Sequence, residues 1–137
     1  MFVKANQQWA LFVMAGGAAG ASVRYGLLQL WPATEGFPWP VLILNIAGSF
    51  LLGALMVREW RRPLKRLALH AGLGTGFCGG LTTFSTFAVE MATFIDNSRY
   101  GLALTYGFAS MVSSIVAAAF GAWSSKRFTS EAAETTS

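Results

Sequence analysis

Four long apolar runs, separated by short polar connectors, limit what this chain can fold into. They cover residues 9–30, 41–57, 67–95 and 100–123. A helix needs about 20 predominantly apolar residues to cross a bilayer core, and each run comes close to or exceeds that. Apart from His70 beside a basic loop, Arg24 and Glu90 are the only charge-bearing side chains in or at the edge of these runs. Charged residues make up 12% of the chain and the mean hydropathy is +0.50, whereas soluble domains carry roughly 25% charge. We therefore expect an all-α membrane protein of one domain, residues 1–127, with four transmembrane helices. The polar segment 128–137 is expected to be a disordered tail.

Charge sets the orientation. The loop Arg58–Arg66 holds five basic residues, and Lys4, Lys126 and Arg127 bring its side of the membrane to eight; the other side has Arg24 and Arg99. The positive-inside rule then places both termini in the cytoplasm, in a cell (inner) membrane. That pattern accounts for the +4 net charge more simply than nucleic-acid binding does. The lone Cys78 can form neither an intrachain disulfide nor a metal site of the usual spacing. Cleavage after the first apolar run is not expected, because that run is glycine-rich and its removal would delete a span.

The first span is all small residues at its centre, and Gly16 and Gly20 form a G-x-x-x-G pair that admits another helix closely. Arg24 near its end either snorkels to headgroups or lines an anion-attracting vestibule. Prolines 32, 38 and 40, with Trp31 and Trp39, make the following loop an interfacial connector. In the second span the strongly polar residue is Asn45, which either bonds to a neighbouring helix or serves a polar path.

The stretch Gly72–Glu90 departs from a buried helix altogether. Glycines 72, 74, 76, 79 and 80 precede Thr82, Thr83, Ser85 and Thr86, which interleave with Phe84 and Phe87 before Glu90. Glycine is a poor helix former, so the third helix is expected to break at this Gly-rich segment. Freed carbonyls there need a partner, and a cation is one candidate. Helical spacing puts Phe84, Phe87 and Met91 on one stripe and Thr83, Thr86 and Glu90 on the next. Such stripes can be packing and back-bonded threonines; beside a break and an acid they read as the wall of a polar path. The fourth span aligns Tyr106, Ser110 and Ser114 on one face.

Nucleotide-binding, zinc-hydrolase and nucleophile motifs are missing from the sequence, so an enzyme is not expected. Walls rich in hydroxyl and amide donors, phenyl edges and an arginine favour anions. Four spans enclose too little volume for a pore within one subunit, so oligomerisation is expected.

The segment GFCGGLTTFSTFAVE, with GGAAGASVRY and NIAGSFLLG upstream, closely resembles the Fluc/CrcB fluoride channel family over all four spans. The resemblance implies a fluoride-specific ion channel for passive efflux, built as an antiparallel dimer of dual topology with two pores. It implies a structural, non-transported Na+ at the dimer centre, held by backbone carbonyls of Gly79 and Thr82. It maps the pore onto Asn45, Phe84 and Phe87, with a hydroxyl track of Thr83, Ser85 and Thr86 and, by position, Tyr106 and Ser114. Arg24 maps onto a vestibule arginine and Glu90 onto the acid that ends the motif.

Two departures stand out. Ala88 occupies a position where many members have serine, and the eight-to-two charge bias is awkward for a chain that must insert both ways. The partner is thus either a second copy or a related, oppositely oriented subunit. The rival function is a small proton-coupled multidrug exporter that uses Glu90; a structural subunit without transport of its own is the third reading.

Overall fold

The computed structural model describes residues 2–32, 36–57 and 63–134. The centre of the basic loop, residues 58–62, and the last three tail residues lie outside the described residues. Among the described residues every regular element is helical: α1 (Phe2–Leu30), α2 (Trp39–Met56), α3 (Pro63–Leu67), a π-helix (Ala68–Cys78), α4 (Gly79–Leu81), α5 (Ser85–Asp96) and α6 (Tyr100–Glu134). Three stretches, Gln7–Leu30, Trp39–Met56 and Tyr100–Arg127, are long and apolar enough to cross a membrane. This is an integral membrane protein. The expected third span is a relay of short segments between Pro63 and Asp96, so no single helix in it meets that length.

Two helix pairs build the molecule. α2 packs along α6, and α1 packs along the π-helix and α4; α2 also meets the π-helix, and α5 rests on α6. Both pairs depend on glycine. A β-carbon on Gly16 would overlap the Gly72 carbonyl, one on Gly20 the Phe77 carbonyl, and one on Gly80 the Gly17 carbonyl. In the other pair, Gly53 lies against the Ala118 carbonyl and Gly121 against the Phe50 carbonyl. Lipid tails are as apolar as leucine, so helices in a bilayer gain most from backbone-close packing.

This packing narrows the expected break to the C-terminal end of the Gly-rich segment. Most of the glycine cluster stays helical, wound as an 11-residue π-helix, and the backbone leaves the helix only at Thr82 (φ −75°, ψ 155°). Close contact with α1 offsets the poor helix propensity of Gly72, Gly76 and Gly80. The wide turn has its own local bond, from the Thr75 hydroxyl to the His70 carbonyl five residues back (3.3 Å).

The other end of the chain also differs from expectation. α6 runs 35 residues, at about 1.5 Å each well beyond a ~30 Å hydrocarbon core. It therefore carries the polar tail as helix through Glu134, because Glu131, Ala132, Ala133 and Glu134 are good helix formers on an existing helix. Arg127 stacks 4.5 Å over the Trp123 ring near this exit, an interfacial pairing.

Gly76→Ala should disrupt the α1–π-helix contact, since the new methyl would lie 2.6 Å from the Val13 carbonyl and 3.0 Å from the Gly17 nitrogen. We expect a loss of about 1–3 kcal/mol, measured as a lowered unfolding midpoint in detergent. Gly26→Ala, with nothing within 4 Å, should leave the midpoint unchanged.

Candidate functional site

The break is held open by a side chain from another helix. Asn45 of α2 donates through Nδ2 to the Thr83 carbonyl (3.1 Å) and accepts the Thr83 N–H on Oδ1 (2.9 Å). A primary amide has the donor and acceptor of a peptide group side by side, so Asn45 pairs with Thr83 as a neighbouring strand residue would. Unsatisfied backbone groups at membrane depth each cost several kcal/mol; this clamp removes two of them.

Beyond the break the side chains of α5 form a hydroxyl cluster. Thr83 Oγ1 accepts the Thr86 N–H (3.1 Å), donates to Thr86 Oγ1 (3.0 Å) and lies 3.2 Å from Ser85 Oγ. Because the Thr83 hydrogen goes to Thr86, Ser85 is the donor of the third bond, and the Thr86 hydroxyl hydrogen remains for a ligand. Thr83 thereby caps the start of α5, whose N-terminal dipole end favours negative charge.

An aromatic group continues from the hydroxyls. Phe84 and Phe87 have ring centroids 5.8 Å apart, and Phe87 lies 5.1 Å from Tyr106. Tyr106 is fully buried, with Phe37 and Phe94 meeting it edge-on at 5.5 and 6.2 Å. Its hydroxyl donates to Glu90 Oε2 (2.5 Å). Phe84, by contrast, is 80% exposed in the single chain.

These groups border a cavity of about 900 Å³ between α2, the π-helix, the break and α6. Its wall includes Asn45, Gly79, Thr82, Thr83, Phe84 and Phe87, and α6 contributes Ser110 and Ser114. The rest is mostly apolar, with Leu52, Met56 and Ile115 among the lining residues.

Residues 11–122 match the family model described as CrcB-like protein, Camphor Resistance (CrcB). The chain belongs to the CrcB-like family. It is 40% identical over 115 residues to "Fluoride-specific ion channel FluC 1" of Ligilactobacillus salivarius, covering 83% of this chain and 96% of that one. It is 44% identical to "Fluoride-specific ion channel FluC 2" of Bacillus subtilis (84% and 86% covered) and 38% identical to "Fluoride-specific ion channel FluC" of Ignicoccus hospitalis (81% and 89%).

In this CrcB-like chain the sequence-predicted residues divide into three groups. Asn45, Thr83, Phe84, Phe87, Ser114, Gly79 and Thr82 meet at the cavity, and Ser85 and Thr86 join them through the Thr83 hydroxyl. Tyr106 and Glu90 lie behind Phe87, bonded to each other and absent from the wall. Arg24 is on α1, which contributes nothing to the cavity among the described residues. Sequence reasoning aligned Ser110 with Tyr106 and Ser114 but did not assign it to the pore; its buried hydroxyl borders the cavity. Its position midway between Tyr106 and Ser114 on one helix face was the available signal. Ser49, also on the wall, carried the same signal, four residues after Asn45 on α2, whereas Thr75 carried none.

Tyr106→Phe should remove the bond to Glu90 without opening the aromatic cluster. The expected cost is about 1–2 kcal/mol, read as a lowered unfolding midpoint with the helical circular dichroism of the folded state retained.

Proposed function

We propose that this chain is a fluoride-specific ion channel that lets fluoride leave the cytoplasm passively down its gradient. Its similarity to fluoride-specific ion channels supports that substrate, and the broken-helix cavity supplies chemistry suited to it. A small, strongly hydrated anion must exchange its water for donors at every step. The Thr86 and Ser110 hydroxyls, the capped end of α5 and the positive edges of Phe84 and Phe87 are such donors. The chain is a transport protein and not an enzyme. In this proposal the segmented stretch Pro63–Asp96 makes the fourth crossing, and Ser114 and Tyr106 extend the path along α6. Arg24 attracts anions at a mouth that it shares with the partner subunit. Ala88 shortens the hydroxyl track by one group.

The exposed apolar rim of the cavity calls for a cover, and an antiparallel second subunit is the arrangement we favour. The charge bias, eight basic residues against two, argues for one fixed orientation with cytoplasmic termini, in the inner membrane of a two-membrane cell. We therefore propose a related, oppositely biased subunit as the partner. A crosslinked dimer of this chain alone that conducts fluoride would overturn that choice in favour of a homodimer.

A structural Na+ fits the break. The Gly79 and Thr82 carbonyls are the proposed ligands, one pair from each subunit. Neither carbonyl receives the N–H that a continuous helix would supply, since Thr83 N–H goes to Asn45 and Thr86 N–H to Thr83 Oγ1. Unwound carbonyls of this kind coordinate Na+ in broken-helix membrane proteins. Bound there, the ion supplies fixed positive charge at the subunit junction.

Fluoride efflux from liposomes tests the whole assignment. Flux should proceed without a proton gradient, and Phe84→Ile and Asn45→Asp should each lower it by about tenfold or more, the effect of losing roughly 1.4 kcal/mol of anion stabilisation, while assembly persists. Wild-type flux in both folded variants removes the pore assignment. A proton-coupled multidrug exporter instead requires Glu90→Gln to abolish transport driven by a pH gradient. That reading is weakened by the engagement of Glu90 with Tyr106 away from the wall. Absence of any leak, with or without a partner, would leave only a structural subunit.

A further inference from the structure

In an unbroken α-helix the Gly79 carbonyl accepts the N–H of Thr83, and the Thr82 carbonyl accepts the N–H of Thr86. Here both N–H groups point elsewhere. Asn45 Oδ1 takes the first at 2.9 Å and Thr83 Oγ1 takes the second at 3.1 Å. The bond immediately before them survives, from Thr82 N–H to the Cys78 carbonyl (2.9 Å). The two diverted bonds are thus those whose acceptors are the proposed sodium ligands.

We infer that Asn45 and Thr83 are positioning residues that create the cation site by diverting these two N–H groups. The inference rests on the structural sodium proposed above. Neither side chain is itself a ligand in it. Asn45 is suited to the task because it also donates Nδ2 to the Thr83 carbonyl (3.1 Å), holding that peptide unit turned away from the helix axis. Thr83 works locally: its hydroxyl accepts the Thr86 N–H in the first turn of the helix that starts at Ser85. α2 braces the same point a second time: a β-carbon on Gly48 would overlap the Thr82 methyl. The Thr82 hydroxyl, meanwhile, donates to the Cys78 carbonyl (2.9 Å), which holds that side chain back along the preceding turn.

The arrangement links pore and cation site through one residue. The Thr83 hydroxyl that frees the Thr82 carbonyl also orients Thr86 in the hydroxyl cluster. Loss of that hydroxyl lets the Thr86 N–H return to Thr82, which lengthens α5 backwards and removes one ligand. Loss of the Asn45 amide lets the Thr83 N–H return to Gly79 and removes the other.

The full-length protein purified in detergent together with its partner subunit, titrated with NaCl against N-methyl-D-glucamine chloride at constant ionic strength, provides the test. The unfolding midpoint, followed by tryptophan fluorescence, should rise with Na+ in the wild type. Asn45→Ala and Thr83→Val should each raise the half-saturating Na+ concentration by about tenfold or more. Gly53→Ala, which strains the α2–α6 contact at the Ala118 carbonyl, should lower the midpoint equally at every Na+ concentration. If Asn45→Ala does not fold, Thr83→Val carries the test, because it is nearly isosteric and leaves the Asn45 clamp in place. An unchanged half-saturation in the folded variants overturns the inference and leaves the sodium site standing. A wild-type midpoint indifferent to Na+ removes the sodium proposal and this inference with it.

Discussion

The paired hydrogen bonds between Asn45 and the Thr83 peptide group are the interaction on which the rest of the structure depends. A helix that stops inside a bilayer leaves carbonyls and N–H groups without water to satisfy them, at several kcal/mol each. Such a break persists only where another part of the protein answers those groups. Asn45 answers two of them from 38 residues away in sequence, and the break in turn points a fresh helix N-terminus at the cavity. The hydroxyl cluster, the exposure of Phe84 and the freedom of the Gly79 and Thr82 carbonyls follow from that one turn of backbone.

The glycines act at a different level. Gly16 and Gly20 against Gly72, Phe77 and Gly80 bring α1 into backbone contact with the π-helix, and Gly53 and Gly121 do the same for α2 and α6. These contacts fix the spacing within each helix pair; between the pairs, Gly48 of α2 lies against the Thr82 side chain, next to the Asn45–Thr83 clamp. The conformational freedom of glycine is hardly used: among the described residues the positive-φ backbone is at Ser98 (φ 57°), in the tight turn between α5 and α6, and at no glycine. What these glycines contribute is the absence of a β-carbon. The same residues that weaken the helix intrinsically are what let it be packed tightly enough to survive.

Tyr106 and Glu90 illustrate how a polar pair in a membrane protein can be built away from the wall. Their bond satisfies a carboxyl group that hydrocarbon would otherwise penalise. The surrounding Phe37, Phe87 and Phe94 hold the tyrosine ring on three sides. Phe87 is therefore backed by an aromatic cluster on one side and borders the cavity on the other.

Much was legible from residue order alone. The apolar runs announced three continuous spans and a fourth irregular one, because length and hydropathy are local properties. The motif around Phe84 and Phe87 identified the family and named one side of the cavity wall, from Gly79 to Phe87. The position of the break was legible only through the motif. Glycine propensity alone pointed to the whole of residues 72–80, whereas the resemblance mapped the break onto Gly79–Thr82, and the backbone turns at Thr82, where α1 packing ends on one side and Asn45 bonding begins on the other. For the same reason sequence could name Asn45 but not the two Thr83 backbone groups it bonds, and could align Ser110 with Tyr106 without revealing that its hydroxyl is buried beside the cavity. Spans, composition and motif belong to the sequence by itself; which backbone groups are freed, and toward what, was decided only when distant helices met and competed for the same hydrogen bonds.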